Sequence, residues 1–267
     1  EEAGQTFMSV SLQKLTNDTV IPANKIISIF GSQDRLQVIS VLINTVLENS
    51  GDNITAAQAF AYSHGRQLLL DYGGEQMAVI AGAPIDLAAY QQTDGGIGND
   101  GTSDLSLGLK AIATAPSNID YAALISYFDS CLTSRQSRLG KIMALTGSAI
   151  YGEPVLNDVN IMLQSADLSD LEYLWLLWAD YACGNRLRAT KAFDQWSAEN
   201  RELSADETAL AGILCALTRH DCDNDHMLNA RQILASPLLS SGYELDKVLI
   251  ARLLLPQLLQ DKTSFSY

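Results

Sequence analysis

The chain has 267 residues, enough for one large domain or two ordinary ones with a substantial buried core. Hydrophobic residues make up 47% and charged residues 18%, a balance that excludes intrinsic disorder. Seventeen basic against 31 acidic residues give a net charge of −14, a field that repels nucleic acid and anionic membrane surfaces. The basic run Arg135, Arg138 and Lys141 is too small to track phosphates. No stretch of 18 uninterrupted apolar residues occurs, so no transmembrane helix and no membrane insertion are expected. The first residue is Glu1, not Met, which suggests a trimmed or processed start. A leader or anchor upstream would not be visible in it.

In chain order, FMSVSL (7 to 12) alternates as a strand does, and Ser11 to Lys14 matches SxxK without its partner motifs. KIISIF (25 to 30) and QMAVIAG (76 to 82) are apolar runs too short to assign. Between them, residues 33 to 49 and 54 to 71 read as helices, ended by Ser50-Gly51 and Gly73-Gly74. Residues 1 to 90 are therefore expected as an N-terminal module, either helical or a small α/β unit. His64 falls in the second helix as a lone histidine, more simply a packed residue than a base. QQTDGGIGNDGTSD (91 to 104) is expected as a flexible glycine-rich linker or loop. Its GGIGND run matches one calcium nonapeptide, but that architecture needs stacked copies.

Residues 105 to 267 read as an α-helical hairpin domain. Three Ser-x-x-acid capping boxes open helical patterns: Ser117 with Asp120, Ser169 with Glu172, and Ser204 with Glu207. Four apolar stripes follow at helical spacing. They are Ile119, Ala122, Ala123, Ile125, Phe128 and Leu132; Leu171, Leu174, Trp175, Trp178 and Ala182; Leu210, Ile213, Leu214 and Leu217; and Leu245, Val248, Leu249, Leu255 and Leu259. Gly184, Pro237 and Gly242 mark breaks, and short connections favour antiparallel neighbours. Pro256 predicts a kink or an early end to the last helix. Trp175, Trp178 and Trp196 are expected in the core, given the area each buries.

Residues 173 to 193, YLWLLWADYACGNRLRATKAF, resemble a tetratricopeptide repeat. Tyr173 and Leu176 take the early aromatic and leucine places, Gly184 the turn, Ala189 the helix crossing and Phe193 the position one turn later. Leu177, Trp196 and Arg201 depart from the pattern. Residues 205–219 with 226–235 suit a second unit, with Ala230 and Leu234 at the crossing. The resemblance implies stacked hairpins with a concave partner-binding face. An irregular helical bundle explains the same residues. The fold class expected is mainly α, as a TPR-like array or such a bundle.

RHDCDNDHM (219 to 227) gathers zinc-capable side chains, of which His220, Cys222 and His226 would be the ligands if a metal were held. No second Cys/His pair exists to complete the site, so a polar loop between helices is the expectation, with no metal and no cofactor. Cys215 and Cys222 are the candidate disulfide. GxSxG, P-loop, HExxH and a GxGxxG after a clear strand are all missing. These observations point to a non-enzymatic adaptor or scaffold that binds another protein, in an envelope or secretion assembly. The alternatives are an extracytoplasmic sensory or ligand-binding domain of a larger anchored protein, and a metal-dependent hydrolase using residues 220 to 226.

Overall fold

Both long helices expected near the start are present in the computed structural model, which describes residues 33–51, 54–73, 77–199, 202–218 and 225–260. They are α1 (Gln33–Glu48) and α2 (Ala56–Gly73). FMSVSL and KIISIF lie outside the described residues. The apolar run after residue 76 is a one-turn helix, α3 (Ala78–Ala81), followed by a 3-10 turn at Leu87–Tyr90. Then come β1 (Gly98–Asn99), β2 (Thr102–Ser103), α4 (Leu105–Thr114) and α5 (Tyr121–Thr133). The remaining helices are α6 (Arg138–Tyr151), α7 (Leu156–Leu163), α8 (Asp170–Ala182), α9 (Arg186–Ser197), α10 (Ala205–Thr218), α11 (Asp225–Leu234) and α12 (Glu244–Gln260). The protein is mainly α-helical.

Two of the three capping boxes form as read. Ser169 accepts from the Glu172 amide while Glu172 accepts from the Ser169 amide at 2.9 Å. Ser204 and Glu207 do the same. The Ser117 box does not form. Asp120 is itself the cap, accepting from the Ala123 amide, so the helix begins three residues later. Aspartate is too short for the reciprocal reach but well suited to the cap position. The α5 stripe shifts accordingly: Leu124, Phe128 and Cys131 are buried, whereas Ala122 faces solvent. At the other end, α12 runs past Pro256 to Gln260 instead of stopping. Pro256 lacks the amide that would bond the Arg252 carbonyl four residues back.

The even-numbered helices form an inner succession. α4 packs on α6, α6 on α8, α8 on α10 and α10 on α12. α12 then returns to pack on α1, α2 and α4, so the first and last helices of the described chain share one core. The closing contact is polar as well as apolar. Lys110 Nζ of α4 lies 2.9 Å from Asp246 Oδ2 of α12, and Arg252 Nη1 donates to the Ala113 carbonyl at 2.6 Å. Inner position explains composition: Thr208 to Ala216 of α10 are buried on every side. α5, α7, α9 and α11 lie against these inner helices and keep a solvent face.

Residues 91 to 104, expected as a flexible linker or loop, are a loop that packs as a short hairpin. β1 and β2 pair antiparallel, Gln91 bridges Ile97, and Ile97 is fully buried. Close packing requires glycine at 95, 96 and 98. Gly95 has φ +90°, and a Cβ there would stand 2.3 Å from the Ala123 carbonyl oxygen of α5. Asp94 holds the turn by accepting from the Gly96 amide at 3.0 Å and the Ser103 hydroxyl at 2.6 Å.

Candidate functional site on the outer helices

Residues 173 to 193 fall in the helix pair α8 and α9. α8 ends where Gly184 takes φ +97°, a left-handed turn that glycine adopts without strain. Ala189 and Phe193 of α9 are buried against α8, and Trp175 and Trp178 stack with ring centroids 5.6 Å apart in the core. Trp196 is buried too, its Nε1 donating to Asp170 Oδ1 at 2.8 Å.

An ion pair between a buried carboxylate and a half-exposed arginine joins α8 and α9. Asp180, near the end of α8, is almost wholly buried. Its carboxylate accepts from Arg188 Nε at 2.7 Å, from Arg188 Nη2 and from Asn185 Nδ2 at 2.8 Å. The same Arg188 Nη2 donates to Asn160 Oδ1 of α7 at 2.7 Å. α7, α8 and α9 are thereby tied at one point. Asp180 in turn raises the Arg188 pKa by direct hydrogen bonding.

Two large apolar side chains on these helices face water. Ile161 of α7 is 65% exposed and Leu187 of α9 is 61% exposed. A shallow depression is lined by Leu187, Arg188, Lys191, Ala192 and Gln195, which repeat along one side of α9. α9 carries Arg186, Arg188 and Lys191 within six residues, a tighter run than the Arg135–Lys141 cluster singled out above. Arg186 sits over the Tyr181 ring, 5.6 Å from its centroid. The residues RLRATK were visible in the sequence. Their exposure was not, because helical periodicity places Leu187 on a face without saying whether another helix covers it.

Of the metal candidates, His220 and Cys222 lie outside the described residues, and His226 is placed only as a position in the first turn of α11. Among the described residues no group of three His, Cys, Asp or Glu side chains is arranged to hold a metal ion. Cys131, Cys183 and Cys215 are free thiols, and the expected partner of Cys215 lies outside the described residues. Burial pushes the Cys215 thiol up to about 12. His64 of α2 is separate from all of these. Burial first, and the charge of Arg252 second, hold its imidazole neutral down to about pH 3. Among the described residues no helix is long and apolar enough to cross a membrane.

Comparison with protein-family models, with curated proteins and with solved structures found no match to this chain.

Proposed function

We propose that the protein is a non-enzymatic adaptor that binds a partner protein on the outer face of α7 and α9. The observation that carries this reading is the exposed Leu187, which lines a depression with Arg188 and Lys191 on α9, while α7 exposes Ile161. Because the inner helices close back on α2 and α4, the outer helices offer the accessible surface. The partner segment is an apolar anchor with acidic neighbours. Its charge is attracted by α9 even though the whole molecule is acidic, since at physiological salt charges beyond about 8 Å are screened. The tetratricopeptide-like pattern of 173 to 193 supports the same use of a helical hairpin.

A displayed library of random peptides tests this. Selected binders should be enriched in acidic residues around a large apolar one. Leu187→Asp should weaken them about tenfold or more, the effect of losing one central anchor. Asp129→Asn on the exposed side of α5 should leave them unchanged. Leu187 is largely exposed, so the variant should keep its circular-dichroism spectrum and melting temperature. Peptides without acidic enrichment, or binders indifferent to Leu187→Asp, would remove the proposal.

A further inference from the structure

We propose that Asp100, in the turn between β1 and β2, is a site of spontaneous backbone modification, where aspartate converts to isoaspartate through a succinimide ring. The chain holds two Asp-Gly pairs, Asp94–Gly95 and Asp100–Gly101, both in this hairpin. Glycine makes such a pair reactive because it puts no side chain in the way of its own backbone nitrogen. The Gly101 nitrogen attacks the protonated side-chain carboxyl carbon of Asp100. A C–N bond forms, a carboxyl C–O bond breaks, and the hydroxyl leaves as water with the amide hydrogen. Water then adds to one of the two ring carbonyls and opens the ring. Opening at the side-chain carbonyl restores aspartate. Opening at the other carbonyl leaves the chain running through the side chain, with one more backbone carbon, a free α-carboxylate and no change of mass.

The two pairs are alike in sequence and differ in the contacts that govern ring closure. Asp94 Oδ1 accepts from the Gly96 amide at 3.0 Å and from the Ser103 hydroxyl at 2.6 Å. The Gly95 amide donates to the Gln92 carbonyl at 2.9 Å, and Gly95 is buried against Ala123 of α5. Both reacting groups are held there. Asp100 and Gly101 are exposed, and neither the Asp100 carboxylate nor the Gly101 amide has a hydrogen-bond partner among the described residues. Nothing lies within 4 Å of where a Gly101 Cβ would stand, so this peptide has room to swing onto the carboxyl. The two residues are the whole of a two-residue turn, at φ +51° and +80°. The effect of modification reaches α2. Asn99 pairs with Thr102 across the turn, and its Oδ1 accepts from the Ala56 amide at the start of α2 at 2.7 Å. An added backbone carbon lengthens a turn whose length sets that pairing, so the cap on α2 is lost with it.

The test incubates the whole protein for weeks at about pH 6, where a small share of aspartate carboxyls is protonated. Peptide mapping with fragmentation that tells isoaspartate from aspartate follows both pairs. Isoaspartate should accumulate at 100 at least about tenfold faster than at 94, the rate factor for breaking one hydrogen bond to a charged group. In urea, where those contacts are gone, the two rates should converge. Aged protein should melt at a lower temperature than fresh protein. Asp100→Gly suits the same turn and lacks the carboxyl, so it should age without that loss. If Asp100→Gly does not fold, the two pairs of the wild type decide. No isoaspartate at 100 in the native protein, or equal rates at 94 and 100, overturns the proposal. So does a tenfold gap that persists in urea, which would assign the difference to neighbouring residues instead of the fold. An equal loss of melting temperature in aged Asp100→Gly overturns the link to α2.

Discussion

Arg138, the first residue of α6, grips Glu172 of α8 with two parallel hydrogen bonds, Nε to Oε1 and Nη2 to Oε2, each 2.8 Å. Its Nη1 reaches Asp167 at 2.9 Å. The same Glu172 closes the Ser169 capping box, so one carboxylate joins a helix start to its neighbour. Arg138 is the main reason that the Glu172 carboxyl is held down at about 2, with the Ser169 bonds adding to it. An unfolded glutamate titrates near about 4.3. The folded state therefore keeps the charged form longer. The stabilisation is fully present above that value and is lost as pH falls toward 2. Denaturation midpoints between pH 5 and 2 should fall less steeply in Arg138→Gln than in the wild type. Equal slopes would show that the pair has no role in acid stability.

His64 sets a second, higher window of opposite chemistry. Its folded pKa of about 3 lies below the roughly 6.5 of a free imidazole. Below about 6.5 the unfolded chain takes up a proton that the folded protein refuses, so stability should decline as pH falls from 7 toward 3. His64→Gln should flatten the decline between pH 6.5 and 5, where Glu172 is not yet titrating. Urea titrations at closely spaced pH values separate the two. His64 resonances titrating near 6.5 in the native protein would contradict the burial argument.

Removing Arg188 should destabilise the α8–α9 pair far more than a surface ion pair would. Asp180 is buried with 1% of its surface exposed and depends on Arg188 for two of its bonds. Arg188→Gln leaves that carboxylate short of donors, at about 2–3 kcal/mol. Arg188 is itself half exposed, which keeps the loss below the value for a fully buried pair. Chemical denaturation measures it. A loss under about 0.5 kcal/mol, the size of an ordinary exposed pair, would mean that water replaces the guanidinium.

Gly147 of α6 sits against Phe128 of α5. A Cβ there would fall 2.4 Å from the ring. Gly147→Ala should cost about 1–3 kcal/mol through overpacking, despite the better helix propensity of alanine. Trimming the ring with Phe128→Leu should cost stability alone yet recover part of the loss in combination. Additive effects of the two changes would place the clash elsewhere.

The free thiols should separate by reactivity. Cys215 is buried, and its raised pKa leaves little thiolate at pH 8. Labelling of native protein followed by peptide mass analysis should find Cys183, half buried at the end of α8, modified before Cys131 and Cys215. Fast native labelling of Cys215 would point to frequent opening around α10.

Local chemistry was legible in the sequence wherever it acts within a few residues. The Ser169 and Ser204 boxes, the Gly184 turn, the paired tryptophans and the extents of α1 and α2 all depend on neighbours in the chain, so spacing alone locates them. Helical stripes likewise fixed the mainly α class. Tertiary structure decided what lies across space. Residues 91 to 104 look like a linker or loop because glycine and aspartate are common in loops, yet Gly95 is small so that the hairpin can rest on Ala123. Nothing in the order of residues says that α12 returns to α2 and α4, which brings Arg252 near His64 across 188 positions. Nor does periodicity tell a covered apolar residue from Ile161 or Leu187, which are exposed. Burial is a property of the partner as much as of the residue, and the partner is chosen only when the chain closes on itself.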